Sequence, residues 1–188
     1  MPSLVVLKGG GMKLRPASER DIDRIMEIIE EGRASLAALG IDQWQGNYPN
    51  RSTIRDDISR GDSHVVCLDD GRIAATAVIG LDGEPLYDLI TDGSWLTGST
   101  SDNPTYAVVH RVAVSTTCKG LGVGRFLMTA IEQHAAAVGR LSVRIDTHAG
   151  NAPMRKLIER SGYTRCGIVR INHNEGTTRE RIAYEKLL

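Results

Sequence analysis

Apolar residues recur along this chain with two periods, and the places where the period changes mark its elements. Residues 12–16 read as a first strand, after which Ser18 with Asp21 three residues on resembles a capping box. The helix so opened carries Ile22, Ile25, Met26, Ile29 and Leu36 on one face, a core-packing stripe. A polar loop at 40–49 leads to a short helix near 52–60. A hairpin over 63–68 and 72–81 follows, turning at Asp69-Asp70-Gly71. The run Ala74-Ala75-Thr76-Ala77-Val78-Ile79 is almost wholly apolar and predicts a strand central in its sheet.

Residues 82–105 are long, polar and aperiodic. Loops of that size in compact domains often carry function, so the stretch is expected to form part of a substrate wall, with a surface insertion as the alternative. Residues 106–114 read as a strand. The next helix has Val123, Phe126, Leu127, Ala130, Ile131, Ala137 and Val138 on one face and Gly139 as its stop. Residues 141–147 alternate as a half-buried strand does. Asn151 opens a further helix with Pro153 in its first turn and Gly162 beyond its end. Strands at 163–171 and 179–186 flank the turn Asn172-His173-Asn174-Glu175-Gly176. The order is strand, two helices, three strands, helix, strand, helix, two strands.

The chain's 188 residues suffice for one domain, expected over 12–188, with 1–11 as a flexible extension. Lys plus Arg and Asp plus Glu number 23 each, so no global field favours nucleic acid or an acidic membrane. Three widely spaced cysteines without a CxxC pair indicate neither a disulfide framework nor a metal site, and a reducing cytoplasm is the expected setting. The apolar run at 4–7 is too short for a secretory or membrane segment.

Chemistry concentrates at Lys119-Gly120-Leu121-Gly122-Val123-Gly124-Arg125, directly before the helix with the Val123 stripe. The first N–H groups of a helix lack partners and carry partial positive charge, so a phosphate or pyrophosphate is the natural guest. The GxxxxGK[ST] loop is absent, and a GxGxxG fingerprint would need glycine where Arg125 stands. Asp146, near where a ribose-binding acid would sit, keeps a dinucleotide reading weakened rather than excluded.

The segment resembles the acetyl-CoA loop of the GNAT superfamily of N-acetyltransferases, [QR]-x-x-G-x-[GA], with Lys119 in place of Gln or Arg. A second signature of that family stands at the right distance: Asn151 opening a helix, then Ser161-Gly162-Tyr163, which matches N-x-x-[AM]…G-[FY]. The resemblance spans about 12–188. It implies an α/β (α+β) fold: a mixed, mostly antiparallel sheet of about seven strands with a splayed pair, flanked by about four helices. Acetyl-CoA would lie where the strand of Val112 and Val114 parts from its neighbour. The Val114 N–H would meet the acetyl carbonyl, the amides of Lys119, Gly120, Leu121, Gly122, Val123 and Gly124 with Arg125 would hold the pyrophosphate, and Asn151 would contact the pantetheine arm. Asn151 also fits a plain N-cap.

Transfer to an amine calls for a base. His110, four residues before Val114, matches a histidine assigned that role in the arylalkylamine branch of the family, and it fits equally a packed core histidine. Asp146 and His148, at i and i+2, form a second cluster that could relay a proton or cap the next helix. The family's thiolate-protonating tyrosine is Ile158 here, leaving Tyr184, Tyr106, His148 or water to act, or coenzyme A to depart as thiolate. Cys118 reads as a surface thiol in preference to a nucleophile. Trp44, Tyr48, Tyr87 and Trp95 are expected to line an aromatic acceptor site. The resemblance thus implies an acetyl-CoA-dependent N-acetyltransferase of a small-molecule amine, acting by direct attack in a ternary complex, and it allows a homodimer. Acetylation of protein N-termini or lysines, and acyl-CoA binding without turnover, are the alternatives.

Overall fold

The computed structural model of the chain describes residues 11–171 and 179–188. The turn expected at 172–176, and all but the last residue of the extension expected at 1–11, lie outside them. Strand β1 (Met12–Pro16) is followed by helices α1 (Ile22–Ala38) and α2 (Arg51–Arg60) and strands β2 (Ser63–Leu68), β3 (Ile73–Gly80) and β4 (Tyr106–Val114). Helix α3 (Val123–Ala137), β5 (Ser142–Thr147), α4 (Ala152–Arg160), β6 (Thr164–Arg170) and β7 (Glu180–Leu187) complete the order. The seven strands form one sheet, β1-β2-β3-β4-β5-β7-β6, antiparallel throughout except between β4 and β5.

The alternating strand pattern sorts side chains to two faces. On one, Ala107, Val109, Val143 and Ile145 meet Val123, Leu127, Met128 and Ile131 of α3 and Ile158 of α4, all buried. On the other, α1 and α2 cover the β1–β4 half: Ile22, Ile25, Ile28 and Ile29 are at most 2% exposed and pack with Ile54, Val65 and Cys67. Each such isoleucine removed from water contributes about 1.5–3 kcal/mol before the entropy of ordering it is charged. Cys118, expected at the surface, is 2% exposed in the core below α3. A 3₁₀ turn over Thr116–Cys118 at the strand's end carries it inward.

Among the described residues, no helix covers that second face over β4, β5, β7 and β6; the 82–105 segment does. Their 3₁₀ turn Pro85–Leu89 buries Tyr87 completely against Tyr106, Val108, Val169 and Ala183. Trp95 packs against the same cluster and donates its indole N–H to the Tyr87 carbonyl at 2.8 Å. A buried ion pair fastens the segment. Arg144 Nε lies 3.0 Å from Glu185 Oε1, and the Arg144 guanidinium sits between the rings of Trp95 and Tyr106, 4.3 and 3.8 Å from their centroids. Glu185 accepts further hydrogen bonds from Ser142, the Thr97 hydroxyl and the Leu96 and Thr97 N–H groups. Burial alone would raise this carboxyl, but those donors and Arg144 hold it below its usual value.

Two features position the site. The β4–β5 pairing runs only from Tyr106↔Ser142 to Val109↔Ile145, after which β4 stays with β3 and β5 with β7. The sheet therefore opens at residue 110. On the β3 side, Val78 faces His110 and Thr76 faces Ala113, so Arg111 and Val112 oppose one residue, a bulge with Arg111 at φ +54°.

Candidate active site

A cavity of about 290 Å³ lies in the opening. Val109 to Val114 of β4 and Ile145 to Thr147 of β5 line its two sides, while Asn151, Pro153, Met154 and Leu157 of α4 line one end. Leu36 of α1, with Trp44 and Tyr48 of the following loop, helps close the other end, and Ile171 and Arg181 also line the space. Trp44 and Tyr48 are thus wall residues, and Trp44, at 7% exposure, also belongs to the core under α1. Tyr87 and Trp95, expected beside them, do not line the cavity. Their rings pack 5.0 Å apart in the core of the 82–105 segment, because the bare sheet face there needs apolar cover more than the cavity needs a wall.

Alternation along β4 and β5 places His110 and Asp146 on the face covered by that segment, at the point where the strands part. The Tyr87 hydroxyl donates to Asp146 Oδ2 at 2.7 Å. Burial first, then the Asp146 charge, pushes the Tyr87 hydroxyl well above its ordinary value, so it remains a donor. His110 Nε2 lies 3.5 Å from Glu84 Oε2, and its ring centroid is 6.3 Å from that of Tyr87. Asp146 and His148, expected as a pair, have different hydrogen-bond partners: the His148 Nδ1 accepts the Gly150 N–H of its own loop at 3.0 Å. Burial, then Arg181, lowers the His148 pKa.

Beyond β4 the backbone becomes a donor surface. Ser115 N–H donates to the Ala74 carbonyl at 2.8 Å, so strand alternation aims the Val114 N–H the other way, toward the opening. Gly120 and Gly122 have φ of +82° and +75°, and a Cβ on either would meet nothing within 4 Å, so this turn is glycine for its conformation and open to solvent. Within α3 the first backbone bond runs from Phe126 N–H to the Gly122 carbonyl, so the helix gives the N–H groups of Val123, Gly124 and Arg125 no partner. Lys119, Leu121 and Arg125 are exposed around them. Gly124 serves contact: a Cβ there would lie 3.3 Å from Leu157 of α4. Asn151 accepts the Met154 N–H at 3.2 Å, capping α4, and lines the cavity as well.

Ile158, at the family's tyrosine position, is fully buried. Tyr184 is buried with its hydroxyl between Arg155 and Glu159, and the Tyr106 hydroxyl accepts the Glu84 N–H at 3.1 Å. Among the described residues, no group of His, Cys, Asp and Glu is placed to hold a metal, and no helix is long and apolar enough to cross a membrane. Sequence reasoning missed Glu84, Arg111 and Arg181. The adjacent polar pair His110-Arg111 inside an apolar strand was the available signal, since a bulge breaks alternation in that way.

Parallel strands that part over a cavity, beside a helix whose glycine-rich start presents bare N–H groups, define the class of acyltransferases that take their acyl group from a coenzyme A thioester. The chain belongs to the Acetyltransferase (GNAT) family, which its sequence matches over residues 30–163. A GNAT-family acetyltransferase of Streptococcus agalactiae is 35% identical, with a TM-score of 0.80 over 95% of this chain and 96% of that one. One from Listeria monocytogenes shares 16% identity at a TM-score of 0.71, covering 99% and 100% of the two chains. Mycobacterium smegmatis RimJ in complex with CoA-disulfide shares 17%, at 0.65, covering 95% and 82%. No curated protein gave a match. The mixed seven-stranded fold expected from the sequence is the fold of these relatives.

Proposed function

We propose that this GNAT acetyltransferase moves an acetyl group from acetyl-CoA to the primary amine of a small molecule by direct attack. The observation that carries the proposal is the walled cavity of about 290 Å³ between β4 and β5, with the Val114 N–H aimed into the opening. The residues present fit the thioester. The N–H groups of Val123, Gly124 and Arg125, with the open turn at Gly120 and Gly122 and the charges of Lys119 and Arg125, suit a pyrophosphate. Val112, Asn151 and Met154 suit the arm, which follows the parted strand edge.

Acetyl-CoA, when bound, supplies the activated carbonyl. The Val114 N–H meets its oxygen where negative charge grows during attack; one such fixed donor is worth about 2.7–4 kcal/mol in other acyl transfers. An amine of pKa about 10 is roughly one-thousandth neutral at pH 7, a deficit of about 4 kcal/mol, so a base matters. His110 takes that proton, Glu84 holds its imidazole, and Asp146, steadied by Tyr87, orients the incoming ammonium group. Because Tyr184 and Tyr106 are engaged elsewhere, coenzyme A leaves as thiolate and takes its proton from solvent.

The test is release of free thiol from acetyl-CoA over a library of amines. Turnover with small amines supports the proposal. Turnover confined to peptides would replace it with protein acetylation, and stoichiometric binding of coenzyme A with no thiol release would replace it with a binding module.

A further inference from the structure

The acceptor end of the cavity gathers charged side chains. Among the described residues that line the cavity, His110, Arg111, Asp146 and Arg181 are those able to carry charge near neutral pH. Asp146, the one carboxylate among these lining residues, accepts a hydrogen bond from Tyr87, and the guanidinium groups of Arg111 and Arg181 line the same cavity. A guanidinium repels an ammonium group, whereas an anion carried on the same molecule can pair with it.

Arg111 is held for such a task. It is a non-glycine residue at φ +54°, a strained conformation that persists only where surroundings enforce it. Its Nη2 donates to the Tyr48 hydroxyl at 2.5 Å and its Cζ lies over the Tyr48 ring, 5.2 Å from the centroid. Nη1 lies 3.4 Å from Asp57 Oδ2, while the buried Nε lacks a hydrogen-bond partner. Asp57 is fully buried and shared, since its other oxygen takes Arg60 Nη2 at 2.5 Å. One Asp57 carboxylate is thus shared between the guanidinium groups of Arg111 and Arg60. Arg181, 4% exposed on β7, adds a second fixed charge facing the same space.

We infer that the acceptor is an amino carboxylate, its amine beside His110 and Asp146 and its carboxylate on Arg111 with Arg181. The inference rests on the proposed reading of this cavity as the acceptor site. It names a substrate class within that reading.

Binding of products tests it without turnover. N-acetyl-amino acids of graded side-chain size, and the methyl amide of each, are titrated calorimetrically into the full-length protein saturated with coenzyme A. The carboxylate of the best-fitting pair is expected to bind at least tenfold tighter than its amide. Arg111→Gln removes that preference, and Arg111→Lys keeps a smaller one. Tyr48→Phe, which leaves both charges in place but frees the guanidinium, reduces it less than Arg111→Gln. Equal affinity for carboxylate and amide, or no binding by any member at millimolar concentration, overturns the inference, and so does a preference that survives in a folded Arg111→Gln protein. Should Arg111→Gln fail to fold, the matched pairs on the parent protein decide alone. A carboxylate preference without thiol release in the amine library would sink the catalytic reading, and the occupant's role as acceptor with it, and leave only the carboxylate site on Arg111.

Discussion

His110 and Asp146 owe their company to one register: Val109↔Ile145 is the last parallel pair, so the next residue of each strand faces the same opening. Replacing His110 by Ala is expected to lower kcat/KM for a responsive amine about 100-fold at pH 7, within the usual range for a general base. A rate within a fewfold of the parent from pH 6 to 9 would remove His110 from that role. A second histidine pair acts on stability. His64 of β2 and His134 of α3 are buried with rings 5.0 Å apart; burial lowers the pKa of both, and repulsion from His134 lowers that of His64 further. The unfolded chain therefore takes up protons first. Their contribution to stability is complete above the unfolded value of 6.5 and is lost as pH falls through the lowered folded values. Denaturant midpoints measured from pH 8 to 5 should fall below about pH 6.5, and His134→Gln should flatten that fall. At this scale the sequence told chemistry but not neighbours. His110 and Asp146 stood out as residues, while Glu84 and Arg111 acquire meaning only once the sheet is folded.

The elements were legible where a single period runs long. Helices α1 and α3 and strands β3 and β4 follow from their stripes, and the glycine turn before α3 follows from helix-terminus chemistry. The turn is also gripped from outside: Glu31 of α1 accepts the Thr116 N–H and hydroxyl, and Arg24 donates to Ser115 at 2.8 Å. These bonds hold the Glu31 carboxyl below its usual value despite the opposing effect of burial. Gly122→Ala is expected to cost about 1 kcal/mol by urea denaturation, since φ of +75° disfavours any Cβ while nothing lies within 4 Å to clash. A larger loss would mean packing, not backbone conformation, sets this position. Residues 82–105 were the illegible element. With no period to read, their aromatics suggested a wall, whereas the sheet face they cover is visible only when β4, β5, β7 and β6 lie side by side.

For the whole molecule, that segment substitutes for a helix and carries Glu84 and Tyr87 to the site. Arg144→Met strands Glu185 as a buried carboxylate and is expected to cost about 3–5 kcal/mol, the usual loss on breaking a buried pair. Limited proteolysis should then cut within 96–99 before any other site; unchanged stability and cleavage would show the pin to be unimportant. The parted strands and the bare helix start together make the central claim, and amide hydrogen exchange with and without acetyl-CoA tests it most directly. Protection on addition of acetyl-CoA should concentrate at Val114, at 119–125 and at the start of α4 near Asn151. Exchange unchanged there, or slowed only elsewhere, would contradict the account.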